Sequence, residues 1–277
     1  NDYLFKTKQR MKKIIIVLLS FVVFSCSQNP ITGRKQLTLL PEDQMNAMGL
    51  TEYQQFLTEN KSSVVATGAD VTLVKKVGER IAVAVNTYMA QIGQGERMKS
   101  YNWEFNVVKD SAVNAWCMPG GKVVVYTGLL PISKTETGLA VVMGHEIAHA
   151  IASHGNERMS ASMMQQLGMT ALDVALANKS EQTRGLFQSA IGMGSEIGIM
   201  LPFGRKQESE ADRMGLIFMA LAGYDPTEAI AFWQRMAANS GGQSVPQFLS
   251  THPSDETRIN DIRTKYLPEA LTFYKKQ

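Results

Sequence analysis

Five residues, His145-Glu146-Ile147-Ala148-His149, constrain this chain more than any other part of it, because their chemistry works only on a helix. Four residues advance a helix by about 400°, so the two imidazoles project from nearly the same face, one turn apart. They can therefore share one tetrahedral cation, and Zn2+ suits such a pair. Glu146 lies about 100° round from His145, close enough to act as a base toward water at that cation without binding it. The neighbouring residues agree with this requirement. Ser133 and Glu136 have capping-box spacing ahead of Leu139, Val142 and Met143, and Gly155 can close the far end, which predicts one helix over 136–154. The alternative is a buried helix with two hydrogen-bonded histidines, but two of the chain's four histidines fall in this one pattern.

A catalytic zinc keeps three protein ligands, so a third must come from elsewhere. His154 is near, but Ala152 stands where the extended H-E-x-x-H-x-x-G-x-x-H motif has glycine, and the spacing cannot turn the chain back onto the ion. His154 is therefore expected at the helix end or behind a ligand. Downstream, Glu208 and Asp212 share a helix face at i, i+4. One can bind the cation while the other fixes a ligand imidazole through its free ring N–H. Glu210 points about 200° away from Glu208 and is not expected on the same ion. The helix dipole also favours acidic residues near a helix start, so the residues alone leave Glu208 a candidate.

The rest of the chain reads as α+β, mostly helical, with a small antiparallel sheet. With 277 residues, 44% of them hydrophobic, it can bury one sizeable core. Residues 26–40 are polar, carry Pro30 and Gly33, and read as a tether, leaving a single domain over 41–277. Pro41 suits a first helical position and opens a helix to about Asn60. Asp70 can cap a second, whose apolar stripe runs through Leu73, Val74, Val77, Ile81 and Val85. Trp103, Phe105 and Val107 alternate with polar residues, and Val123 to Tyr126 is β-branched and aromatic, with Gly120-Gly121 between them as a turn. A helix from about Gln207 to Leu221 stops at Gly223, and Asp225-Pro226-Thr227-Glu228 starts the next.

Met11-Lys12-Lys13 precedes the apolar run Ile14 to Phe24, which is too short to span a bilayer but right for the core of an export signal. Residues 1–25 are expected to be a signal peptide, with 1–10 upstream of the natural start at Met11. Ser25-Cys26 resembles the site where lipoprotein precursors are cleaved and lipidated on the new terminal cysteine. The alternative is an ordinary signal peptide with an incidental cysteine. The formal charge of +3 also belongs here, since residues 1–25 hold five basic side chains against Asp2 alone, leaving 23 basic and 24 acidic residues in the rest. A near-neutral remainder carries no electrostatic footprint for nucleic acid. Cys117 reads as a small buried hydrophobe, because nothing beside it in sequence would depress its pKa.

A further series of residues extends the pattern along the chain. In order, these are Asn29-Pro30-Ile31-Thr32-Gly33-Arg34, Asn114-Ala115, Pro119-Gly120-Gly121 with Tyr126-Thr127-Gly128-Leu129, His145 to His149, Glu208 to Asp212, and Thr251-His252-Pro253 with Arg258. The series resembles the HtpX and CAAX-prenyl-protease family of gluzincin metallopeptidases, in particular its soluble lipoprotein branch and its Oma-type relatives. The resemblance implies a zincin-type domain with one Zn2+ per chain held by His145, His149 and Glu208, Glu146 as catalytic base, and Asp212 supporting a ligand. It implies that the strand Val123 to Tyr126 borders the cleft, where an extended substrate could add to the sheet edge. It also brings in His252 and Arg258 as catalytic candidates. His252 either fills the fourth zinc position and holds the enzyme latent, or donates a hydrogen bond to the oxyanion, with Arg258 fixing its loop or adding positive charge. The bland alternative is a loop histidine before a proline turn. The expected activity is metalloendopeptidase action on unfolded, damaged or misassembled envelope proteins. The expected place is a bacterial cell envelope, lipid-anchored at Cys26 and facing the periplasm, outer membrane rather than inner. The alternative activity is that of a non-proteolytic chaperone or assembly factor on the same fold.

Overall fold

A hairpin comes first, β1 (Cys26–Gln28) paired antiparallel with β2 (Lys35–Leu37). The computed structural model describes residues 26–175, 201–239, 248, 252 and 256–275, so the stretch 1–25 expected to be an export signal, Thr251 and Pro253 lie outside the described residues. The stretch that reads as a tether is folded and docked. Asn29 is buried, and its side-chain oxygen accepts from the N–H groups of Ile31 and Thr32, which closes the loop as an Asx-type turn. Past β2, Leu39 N–H donates to Ser160 Oγ at 2.8 Å, and Asn156 Nδ2 donates to the Leu40 carbonyl at 2.7 Å. Its polar composition serves buried partners rather than solvent.

α1 (Glu42–Glu59) follows Pro41, and β3 (Val64–Val65) leads into α2 (Ala69–Gln91). The expected stripe of α2 is buried at Val74, Val77, Ile81 and Val85 and continues to Met89. Its start differs from expectation: Gly68, at φ 132, occupies the cap, and Asp70 lies in the first turn, where its charge suits the dipole.

β4 (Glu104–Val108), β5 (Ala115–Met118) and β6 (Lys122–Tyr126) join β3 in one sheet of order β3-β4-β6-β5. The class is the expected one, mostly helical with a small sheet, and the outer pairs β3–β4 and β5–β6 are antiparallel. The inner pairing differs. Gly120 and Gly121, at φ 81 and φ 85, turn β5 into β6, while β4 runs parallel to β6 with Phe105 opposite Val123. Periodicity gives no sign of β5, because Ala115-Trp116-Cys117-Met118 does not alternate. Its presence makes β6 an interior strand and β5 the edge.

α3 (Glu136–Ile151) is capped by Thr135, whose side chain accepts from Gly138 N–H at 3.0 Å, while Ser133 Oγ donates to the Leu130 carbonyl. It stops at Ile151 rather than at 154, because Ser153 takes the left-handed φ of 56 and redirects the chain into α4 (His154–Ala175). Every residue of α3 from Gly138 to Ile151 is buried. α5 (Leu201–Leu221) packs against it with two glycines in contact: a Cβ on Gly144 would lie 2.9 Å from the Gly215 carbonyl oxygen, and one on Gly215 would lie 2.8 Å from His145 N. Without side chains there, the two backbones touch. α6 (Glu228–Ala238) begins after Asp225, whose Oδ1 accepts from Thr227 N–H at 2.9 Å. α7 (Glu256–Asp261) and α8 (Leu267–Phe273) are joined by a π turn over Ile262–Tyr266. No helix among the described residues is long and apolar enough to cross a membrane.

Candidate active site

The contact of α3 with α5 brings Glu208 to the two histidines of α3, and His252 closes the group from a later segment. Donor atoms of His145, His149, Glu208 and His252 all lie within 4.8 Å of one another. His145 Nε2 stands 3.0 Å from His149 Nε2 and 3.3 Å from His252 Nδ1. The Glu208 carboxylate oxygens reach His145 Nε2 at 3.3 Å, His149 Nε2 at 3.2 Å and His252 Nδ1 at 2.9 Å. Ligands on a tetrahedral zinc with bonds of about 2.0–2.1 Å stand about 3.3 Å apart, so these spacings suit a coordination set. Imidazole lone pairs directed at one another require a cation near them, proton or metal. Three imidazoles and one carboxylate are a donor set that zinc accepts.

Behind the donors, Asp212 lies one turn after Glu208, with Oδ1 3.0 Å from His145 Nδ1. Arg258 from α7 grips Asp212 with Nε at 2.8 Å and Nη2 at 2.7 Å, and its Nη1 donates to the His252 carbonyl at 3.3 Å. Its Cζ sits over the Trp233 ring, 3.5 Å from the centroid. Burial opposes charge on Asp212, yet Arg258 and His145 hold its carboxyl below the usual range. Burial likewise opposes a charged Glu208, and hydrogen bonds from His145, His149 and His252 overcome it and hold that carboxyl far below the usual range. Burial works against a proton on His145 too, but Asp212 and Glu208 outweigh it and raise the ring to about 9. The pocket thus favours positive charge at His145, whereas burial pushes His149 down and keeps it neutral.

Glu146 is buried and burial raises its pKa. Its Oε1 makes no hydrogen bond and lies 3.5 Å from His252 Nε2, so an acceptor faces the donor cluster unused. The strand beside it is β5, not the expected Val123 to Tyr126, because β6 is paired on both sides. Ala115 N–H at this edge bonds the Asn114 side chain at 2.9 Å instead of a strand. Cys117, whose thiol is pushed well up by burial, and Met118 line a cavity of about 120 Å³ with His149, Asn46 and Arg158. His154 and Glu210 lie outside the donor set, as expected, and His154 Nδ1 meets His149 Nδ1 at 2.8 Å. Trp233 and Phe248, which pack on His145 and His252 with ring centroids 5.5 Å and 4.5 Å away, carry no motif that would single them out.

Residues 75–266, which include every donor named above, match the model for peptidase family M48. The mitochondrial metalloendopeptidase OMA1 of Schizosaccharomyces pombe is 35% identical over 244 residues, 87% of this chain and 66% of the relative. The mitochondrial metalloendopeptidase OMA1 of Homo sapiens is 32% identical over 265 residues, 91% of this chain and 48% of the relative. The beta-barrel assembly-enhancing protease of Yersinia pestis is 30% identical over 171 residues, 59% of this chain and 34% of the relative. The chain thus spans between about a third and two thirds of these relatives' length. The comparisons overturn the expected bacterial-envelope location, since the relatives covering most of the chain are mitochondrial proteins and the bacterial protease matches a smaller share. Zinc is the metal of the M48 metalloendopeptidases, in keeping with the donor set. On the matched residues and the extent of these likenesses, the chain belongs to peptidase family M48.

Proposed function

We propose that this chain is a zinc metalloendopeptidase that cleaves unfolded or misassembled polypeptides. The observation that carries the reading is the buried, unbonded Glu146 Oε1 beside four converging donors. His145, His149 and Glu208 would hold the ion, with Asp212 fixing the His145 ring. Zinc held there supplies a Lewis acid for a peptide carbonyl and brings the pKa of water toward neutrality. Glu146 takes the proton of the attacking water at its open Oε1, and its raised pKa suits it to keep that proton and pass it to the leaving amine. Among the described residues β5 is the outer strand of the sheet beside α3, and its edge can accept an extended chain as a further strand. Only a polypeptide with exposed backbone can pair this way, which supports unfolded chains as the substrate class. The relative named for enhancing beta-barrel assembly supports the same class.

His252 presents Nδ1 to the donor cluster, and Arg258 holds its carbonyl. This geometry supports the latent role, in which His252 occupies the place water needs and activation moves it away. Cys26 remains the proposed lipid attachment point, because the short apolar run ends there. Intact-mass measurement showing an unmodified Cys26 would remove that part.

The chain from Cys26 onward should cleave casein, lose the activity on chelation and regain it with Zn2+. Glu146→Gln should keep zinc and lose at least ~10² in rate. His252→Ala should cleave faster than wild type, whereas an oxyanion donor would make that variant slower by ~10². A protein that prevents casein aggregation but cleaves nothing, even as His252→Ala, would be a chaperone instead.

A further inference from the structure

The two histidines of α3 are supported differently. His145 Nδ1 faces a carboxylate, Asp212. His149 Nδ1 faces another imidazole, His154 Nδ1 at 2.8 Å, and the far nitrogen of that ring, Nε2, meets Glu210 Oε2 at 2.9 Å. His154 is fully buried and Glu210 nearly so. In such a chain each proton fixes the next. A neutral His149 that turns Nε2 toward a cation carries its proton on Nδ1 and donates it to His154. His154 must then keep Nδ1 bare and place its own proton on Nε2, where the Glu210 carboxylate accepts it.

Glu210 is in turn held from the β1–β2 loop. Thr32 Oγ1 donates to Glu210 Oε1, and Arg34 Nε donates to Oε2 at 2.7 Å. The same guanidinium forks onto Glu157 of α4 with Nη1 at 2.7 Å and Nη2 at 2.8 Å, and Gln207 Nε2 adds a bond to that carboxylate at 2.8 Å. Arg34 thus pairs with two buried carboxylates on different helices at once. Gln36, buried beside it, accepts from Arg34 Nη2 at 3.3 Å.

We propose that the β1–β2 loop is a positioning element for His149: Thr32 and Arg34 fix Glu210, Glu210 fixes the tautomer of His154, and His154 presents His149 Nε2 to the metal. The proposal rests on the zinc reading of the cluster. It means that the chain can hold every ligand and still bind zinc poorly once the loop is undocked.

The test uses the full chain and competition with a chromophoric chelator for Zn2+. Wild type should bind one zinc; if it binds none, the reading of the site fails before the loop is in question. Given binding, Arg34→Met and His154→Leu should each weaken zinc affinity about 10- to 100-fold. His154→Asn, whose amide oxygen can accept from His149 Nδ1, should recover part of that loss, and Lys35→Ala, at an exposed position of β2, should change nothing. The melting temperature of each metal-free variant separates ligand positioning from folding, because a merely structural role would lower it without a selective loss of zinc. Wild-type zinc affinity in Arg34→Met and His154→Leu would overturn the proposal. If both variants fail to fold, the ¹⁵N spectrum of the histidine rings in the zinc-loaded wild type decides. His154 protonated at Nε2 and bare at Nδ1 is expected, and the reverse tautomer overturns the proposal.

Discussion

The guanidinium of Arg258 holds the Asp212 carboxylate and the His252 carbonyl, lies over the face of Trp233, and brings Nη1 to 3.5 Å from Glu208 Oε2. Replacing it by methionine keeps much of the apolar contact with the ring but leaves Asp212 a buried carboxylate without its cation. Breaking one side of such a pair costs about 3–5 kcal/mol. Arg258→Met is therefore expected to lower the denaturation midpoint clearly, and to free the His252 segment, seen as faster hydrogen exchange there. A midpoint equal to wild type would show that Asp212 is satisfied by other means. How much a sequence says about such residues depends on how local their partners are. His145, Glu146 and His149 are legible because one helical turn sets their geometry. Glu208 and Asp212 are legible as a pair, one turn apart, although spacing does not say which one meets the ion. His252 and Arg258 emerge only from family resemblance, since their partners on α3 and α5 are far away in sequence. Arg34, Glu210 and His154 form a chain in which the Arg34 contacts are set wholly by tertiary folding.

Where α3 meets α5, two glycines set the depth of contact, and the ligand geometry follows from it. A methyl group at Gly215 would lie 2.8 Å from His145 N and 3.0 Å from His145 Cα, both backbone atoms that cannot swing aside. Gly215→Ala should therefore force the helices apart, draw Glu208 away from the histidines, weaken zinc binding in a chelator titration and lower thermal stability. Gly155→Ala in α4 meets nothing within 4 Å and should be neutral, or stabilising by about 0.5–1 kcal/mol. Equal zinc affinity in the two variants would show that the crossing does not set the site. Elements with strong helical periodicity, α2 and α3 above all, are readable from sequence, but their ends are less so. Thr135 and Gly68 take the caps that Ser133 and Asp70 suggest, because capping is decided by which side chain the turn happens to aim. β5 is hidden for another reason: its residues pack on different neighbours on each face, so no alternation survives.

Across the whole molecule, the site is assembled from four separated stretches, the loop after β1, the end of α3 with the start of α4, the middle of α5, and the segment from His252 to Arg258. The fold class could be read in advance because it depends on counting periodic segments. The docking of residues 26–40 could not, since a polar stretch looks the same whether its partners are water or buried carboxylates. This scattering has a consequence in time. The ribosome adds about 5–20 residues per second, so the 59 residues from His149 to Glu208 take ~3–12 s to appear. During that interval the nascent chain has its base and two imidazoles but no carboxylate to complete the set, and the arginine that steadies Asp212 arrives later still. A growing chain is itself an unfolded polypeptide among others, and its order of synthesis withholds the complete donor set until the segments carrying Glu208 and His252 have been made.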